Sequence, residues 1–177
     1  GITTVYVTHD QEEALAISDR IAVMKGGLIQ QIGKPQSIYT RPYNVFVSTF
    51  IGHSNLFCGK ISVSNEKRAV TFRNGYKIDL DNLSDVNDGQ EAVISVRPEE
   101  FSIQEQGIPC KIHSRVFLGK YVNYSLAVED SWVLPNQPSL EFSQDLGHAE
   151  AIHEVGDTIM LCPNKAKINI FSEDGSY

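Results

Sequence analysis

His9 is the first residue in the chain whose type and position suggest chemistry. It ends an apolar, β-branched run in Val5 to Ala14, "VYVTHDQEEA", and the residue after it can cap a helix. An imidazole there can donate from one ring nitrogen while accepting at the other. A second group is His148, Glu150, His153 and Glu154, which could ligate a metal if a hairpin gathered them, although exposed turn residues flanking a strand are the better reading. Trp132, Tyr121 and Tyr124 could stack a ligand, but alternation along 121 to 129 favours core packing or an interface. Arg97 and Glu99 flank Pro98 at a strand end, where they read as a surface ion pair of structural purpose.

These residues need elements to position them. Thr3 to Thr8 reads as a strand, and Asp10 as the cap of a helix from Gln11 to Ser18, with Glu13 reaching back in a capping box. Arg20 to Met24 and Leu28 to Ile32 bracket a Gly26-Gly27 turn. A short helix follows Pro35, and Pro42 opens another with Phe46, Val47, Phe50 and Ile51 on one face and Gly52 as its stop. From about Leu56 the pattern changes to short strands separated by turn signals. The expected strands are Phe57 to Ser64, Ala69 to Arg73, Tyr76 to Leu80, Glu91 to Arg97, Cys110 to Leu118, Tyr121 to Glu129, Trp132 to Leu134, Ile152 to Val155, Thr158 to Cys162 and Lys167 to Phe171. This predicts a mainly β chain, with a small barrel or sandwich after an α/β segment and a boundary that assigns 1–52 to one unit and 53–177 to the other.

Composition narrows the partners. Of 177 residues 41% are hydrophobic, and 22 acidic against 15 basic residues give a net charge of −7. No Lys/Arg cluster suits a phosphate backbone, so nucleic acid is not an expected partner. Cys58, Cys110 and Cys162 are widely spaced without a CxxC pair, and read as small buried hydrophobes rather than a zinc or disulfide framework. No apolar run is long enough to span a bilayer, and no signal peptide is recognisable; any membrane association is expected through a partner.

The stretch from Thr3 to Leu56, "TTVYVTHDQEEALAISDRIAVMKGGLIQQIGKPQSIYTRPYNVFVSTFIGHSNL", resembles the end of the nucleotide-binding domain of ATP-binding cassette (ABC) importer ATPases in the branch with a C-terminal regulatory barrel. "SVRPEEFSI" and "VFLGKYVNYSLAV" resemble the signatures of that barrel, the transport-associated oligonucleotide/oligosaccharide-binding-like (TOBE) domain. Ser48 stands where alanine is commoner in the family, a departure expected to be harmless. The resemblance implies that His9 is the switch-loop histidine, contacting the γ-phosphate of ATP in the intact subunit. Hydrolysis needs an aligned water and fixed donors for charge developing on the phosphoryl oxygens, and the end of a rigid strand suits both tasks. A histidine bonded only to backbone is the bland alternative.

The resemblance also exposes what is missing. The Gly-Lys pairs at 33, 59 and 119 lack the rest of a GxxxxGK[ST] loop. "LSDVNDGQ" imitates the LSGGQ-type signature only superficially, and "LAVED" reads as a strand and turn rather than a Walker B motif. The expectation is therefore the tail of an ATPase, inactive alone, whose intact form uses ATP and Mg2+. Implied partners are a second copy and ABC permease subunits, at the cytoplasmic face of the membrane. Polyamine or ferric iron is favoured over sugar as solute, from "FIGHSNLF" and "FLGKYVNYSLAV". With a covering sheet missing, Val5, Val7, Ile21, Val23, Phe46 and Phe50 are expected to seek cover in a homodimer or domain swap. The rival from another class is a free-standing module whose barrel binds an oxyanion or small metabolite.

Overall fold

Capping opens the first helix of the computed structural model, which describes residues 1–64, 67–72, 75–80, 86–128, 133, 134, 137, 139–147 and 151–172. The Asp10 carboxylate accepts from the Glu13 amide at 2.9 Å, satisfying a donor that α1 (Gln11–Ile17) cannot satisfy internally. Only half of the expected capping box forms. The Asp10 amide donates to Thr8 Oγ1 at 3.0 Å, while Glu13 turns away to accept from the Tyr6 and Thr8 hydroxyls.

The expected strand over Thr3 to Thr8 does not form, because a strand exists through its ladder and no described segment pairs with this one. Val5 and Val7 are accordingly 88% and 89% exposed. Next, β1 (Ile21–Lys25) and β2 (Leu28–Gly33) make an antiparallel hairpin, followed by α2 (Pro35–Thr40) and α3 (Val45–Phe50). Asn44, not Pro42, starts α3: its side-chain oxygen accepts from the Val47 amide at 2.9 Å. Ile21, Val23, Ile38, Val47 and Ile51 close over one another as a small core. Ile21 and Val23 therefore need no external cover, contrary to expectation; Phe46 is half-buried, and Val5, Val7 and Phe50 stay exposed.

The remaining strands build two antiparallel sheets. One contains β3 (Asn55–Ser64), β4 (Lys67–Phe72), β5 (Lys77–Leu80), β6 (Glu91–Val96) and β11 (Asn169–Ser172), ordered β11-β6-β3-β4-β5. The other contains β7 (Phe101–Phe117), β8 (Tyr121–Ala127), β9 (Leu140–Asp145) and β10 (Thr158–Pro163), ordered β10-β7-β8-β9. Between them lie Phe57, Ile61, Val70, Ile94, Val122, Tyr124, Leu126 and Leu161 among others. Each such side chain contributes roughly 1.5–3 kcal/mol on burial. This is the mainly β, half-barrel architecture that the strand pattern predicts.

Three strands depart from expectation. β9 is not among the expected strands, and Leu140 and Phe142 point inward from it. The buried Asn55 side chain joins β9 to β3, donating to the Glu141 carbonyl at 2.7 Å and accepting from its amide at 2.8 Å. Residues 152–155 are not a strand, because their backbone bonds to side chains: the His153 amide donates to Tyr124 Oη at 3.1 Å and the Glu154 amide to Asp157 at 2.9 Å. β7 begins at Phe101 rather than Cys110. Its pairing with β10 jumps from Pro109↔Met160 to Ile103↔Leu161, and a Cβ on Gly107 would run into the Leu161 carbonyl there.

α3 packs against β6, and several hydrogen bonds gather around that contact. Every residue of β6 from Ala92 to Val96 is buried: Ala92, Ile94 and Val96 face the sheet-sheet core, while α3 lies against the other side. There the Ser48 and Ser95 hydroxyls meet at 2.7 Å. Arg41 adds a second link, donating to the Ala166 and Ile168 carbonyls at 3.0 and 3.3 Å.

Candidate functional site

His9 occupies the turn between the extended segment 1–8 and α1. Its side chain is exposed, and no hydrogen bond among the described residues ties the imidazole down. The Asp10 cap and the Thr8 hydroxyl fix the backbone on either side instead. The geometry is a rigidly held turn presenting one free donor-acceptor group. No group of three or more His, Cys, Asp or Glu able to hold a metal occurs among the described residues.

Behind the turn is a denser arrangement around the C-terminal end of α3. Gly52 takes the left-handed conformation, φ +74°, that ends many helices and suits glycine. Its amide donates to Gln11 Oε1 at 2.9 Å. From the barrel side, Arg97 Nη1 donates to the Ser48 carbonyl at 2.9 Å and the His53 carbonyl at 2.8 Å, and Nη2 to the Tyr39 carbonyl at 3.0 Å. The guanidinium also lies over the Tyr39 ring, 4.2 Å from its centroid.

Arg97 is only 5% exposed, so the expected surface pair with Glu99 is corrected. Glu99 instead accepts from the Tyr39 hydroxyl at 2.6 Å. Burial pulls the Arg97 pKa below its ordinary value, and three carbonyls plus an aromatic face compensate the lost water. Burial and then the Glu99 bond push Tyr39 up to about 12. Ser48 is fully buried and its hydroxyl reaches both Ser54 at 3.0 Å and Ser95 at 2.7 Å, so it does more than stand in for an alanine.

The remaining sequence candidates scatter. Arg115 takes Glu154 in an ion pair of 2.8 Å and donates to the His153 carbonyl at 2.7 Å; His148 and Glu150 lie outside the described residues. Tyr124 is buried and stacks on Phe142, whereas Tyr121 is on the opposite face and exposed; Trp132 lies outside the described residues. Lys60 and Lys120, from two of the Gly-Lys pairs, make surface contacts with Glu91 and Asp145. Cys110 is buried, and desolvation pushes its thiol up to about 12. Sequence reasoning missed Gln11 and Arg97 as junction residues. The available signal was Arg97 closing the apolar run Ala92 to Val96, a setting in which its side chain has buried neighbours on both faces.

Fold and sequence together place the chain with the ATP-binding subunits of ABC importers, whose TOBE domain it carries: residues 94–171 match the TOBE domain family. Across 99% of its length it is 45% identical to the Fe(3+) ions import ATP-binding protein of Fusobacterium nucleatum subsp. nucleatum, of which it covers 46%. It is 41% identical to the spermidine/putrescine import ATP-binding protein of Clostridioides difficile, over 86% of this chain and 45% of that one. The counterpart in Marinobacter nauticus is 39% identical over 73% of this chain and 36% of its own length. The chain thus spans about half the length, or less, of these curated relatives. No helix among the described residues is long and apolar enough to cross a membrane.

Proposed function

We propose that this chain is the C-terminal part of the ATP-binding subunit of an ABC importer that couples ATP hydrolysis to uptake of ferric iron or polyamine. The observation carrying this reading is the 45% identity to an iron importer's ATP-binding protein, sustained over 99% of the chain. Residues 1–52 would be the end of the nucleotide-binding domain, and 53–177 the regulatory barrel. The phosphate cradle, signature and Walker B carboxylate would belong to other parts of the subunit, together with ATP and Mg2+, so the present residues alone should not hydrolyse ATP.

Within that subunit His9 is the residue that meets the terminal phosphate. Its backbone is held on both sides by Thr8 and Asp10, and the exposed ring is available to a phosphate supplied by the rest of the subunit. The partners are a second copy, with the barrels serving dimerisation and regulation, and permease subunits that hold the complex at the cytoplasmic face of the membrane. A free-standing binding module gains no support, since the relatives described above are all import ATP-binding proteins.

The test is reconstitution of the full-length subunit with its permease in liposomes. ATP turnover accompanied by uptake of ferric iron or spermidine is the expected result. Turnover that neither solute stimulates, or no turnover at all, contradicts it.

A further inference from the structure

We propose that Gln11 is a positioning residue that couples the helix opened by the His9 turn to the barrel, by competing for the hydrogen bond that would otherwise close α3. A helix ending in a left-handed residue is ordinarily closed by a bond from that residue's amide to the carbonyl four positions earlier. In α3 that bond would run from the Gly52 amide to the Ser48 carbonyl. Both groups are diverted: the amide goes to Gln11 Oε1 at 2.9 Å and the carbonyl accepts from Arg97 Nη1 at 2.9 Å, with the Ser54 hydroxyl also on it at 3.0 Å. One residue earlier the helix is regular, with the Ile51 amide on the Val47 carbonyl.

The two side chains therefore occupy the two halves of one missing bond, and they come from opposite sides. Gln11 follows the His9-Asp10 turn, and Arg97 ends β6. If α1 withdraws Gln11, the helix-closing partner left to the Gly52 amide is the Ser48 carbonyl, where it meets Arg97. The residue following Gly52 is also in Arg97's grip, through the His53 carbonyl at 2.8 Å. A displacement at α1 is thus converted into a change in Arg97's hydrogen bonding, with two discrete states rather than a continuous strain. That α1 moves with the nucleotide rests on the function proposed above; the split bond itself does not.

The test has two arms. In this chain, amide exchange at Gly52 should speed up at least about tenfold in Gln11→Leu, which removes the acceptor, and stay slow in Gln11→Glu, which keeps it. In the full-length subunit, Mg-ATP should change exchange at residues 97–101 in the wild type and in Gln11→Glu, and this change should vanish in Gln11→Leu. If Gln11→Leu does not fold, Gln11→Asn, too short to reach Gly52, should behave as the leucine variant would. Unchanged Gly52 exchange without the acceptor, or a nucleotide response of the barrel that persists in its absence or never occurs in the wild type, overturns the inference. Wild-type hydrolysis by a His9→Ala subunit would instead overturn the role given to His9 and leave the Gly52 result standing.

Discussion

Arg97 and Ser48 are separated by 49 positions in sequence, yet the guanidinium of one donates to the carbonyl of the other at 2.9 Å inside the molecule. The contact ends one element from each part of the chain, since Arg97 terminates β6 and Ser48 lies in α3. No carboxylate neutralises this guanidinium within ion-pair distance among the described residues. Its three carbonyl partners and the Tyr39 ring offset the desolvation cost, with the Glu99 carboxylate contributing from beyond contact distance.

Removing that group should be expensive. Arg97→Met takes the Arg97 donor from the His53 and Tyr39 carbonyls, leaves the Ser48 carbonyl with the Ser54 hydroxyl, and is expected to destabilise the chain by about 3 kcal/mol. Arg97→Lys should recover only part, because an ammonium cannot fork between Tyr39 and α3. Urea denaturation midpoints check both, and a methionine variant within experimental error of wild type contradicts the junction described here.

The buried hydroxyl of Ser48 gives a sharper double test. Ser48→Ala strands the Ser95 hydroxyl, itself 2% exposed, and should cost about 1–2 kcal/mol. Adding Ser95→Ala should return part of that stability, because an apolar pair leaves no buried donor unsatisfied. Strictly additive losses in the double-mutant cycle would show that the bond contributes nothing.

Much of this architecture is legible in the sequence, for identifiable reasons. The Asp10 cap, the Gly26-Gly27 hairpin and the strands at 57–64, 91–96 and 158–162 announce themselves through local chemistry and period. What escapes is non-local. The Thr3 to Thr8 run has strand composition and no partner to pair with, whereas Leu140–Asp145 has loop composition and gains its ladder from β8 and from the Asn55 side chain. Arg97 reads as a surface charge because the partners that bury it are remote in sequence, Ser48 lying 49 positions earlier, and the apolar run before it is the one local hint. The Asp10 cap after His9 is legible; the turn at His9 in place of a strand end is not, nor is the split bond at Gly52, which joins residues 11, 48, 52 and 97.

Close backbone approach makes Gly107 irreplaceable. Gly107→Ala places a methyl group against the Leu161 carbonyl, and rigid backbone on both sides cannot yield cheaply. A loss of about 2–3 kcal/mol is expected, with faster amide exchange where β7 and β10 change register. Full wild-type stability of the alanine variant would mean that the two strands do not approach as described.

Alkaline pH should loosen the junction through Tyr39. Its phenol is raised from 10.0 to about 12 in the folded chain, so the unfolded chain ionises first. The stabilisation is complete below pH 10 and is lost as pH rises through the folded value. Tyr39→Phe should therefore lose stability less steeply than wild type between pH 10 and pH 12. Cys110, raised to about 12 by burial, adds the same slope to both proteins and cancels in the comparison. Equal slopes would remove Tyr39 as a titrating group.

The central claim, that the turn at His9 serves nucleotide hydrolysis in an importer subunit, is tested most directly by single-turnover ATP hydrolysis with full-length His9→Ala. Hydrolysis should fall by about a hundred- to a thousandfold, the usual cost of deleting one preorganised donor. Nucleotide affinity should change far less, because the phosphates are held mainly elsewhere, and so should melting temperature, because the side chain is exposed and Asp10 still caps α1. Wild-type turnover in the alanine variant, or a large loss of folding stability in place of the catalytic loss, would contradict the account.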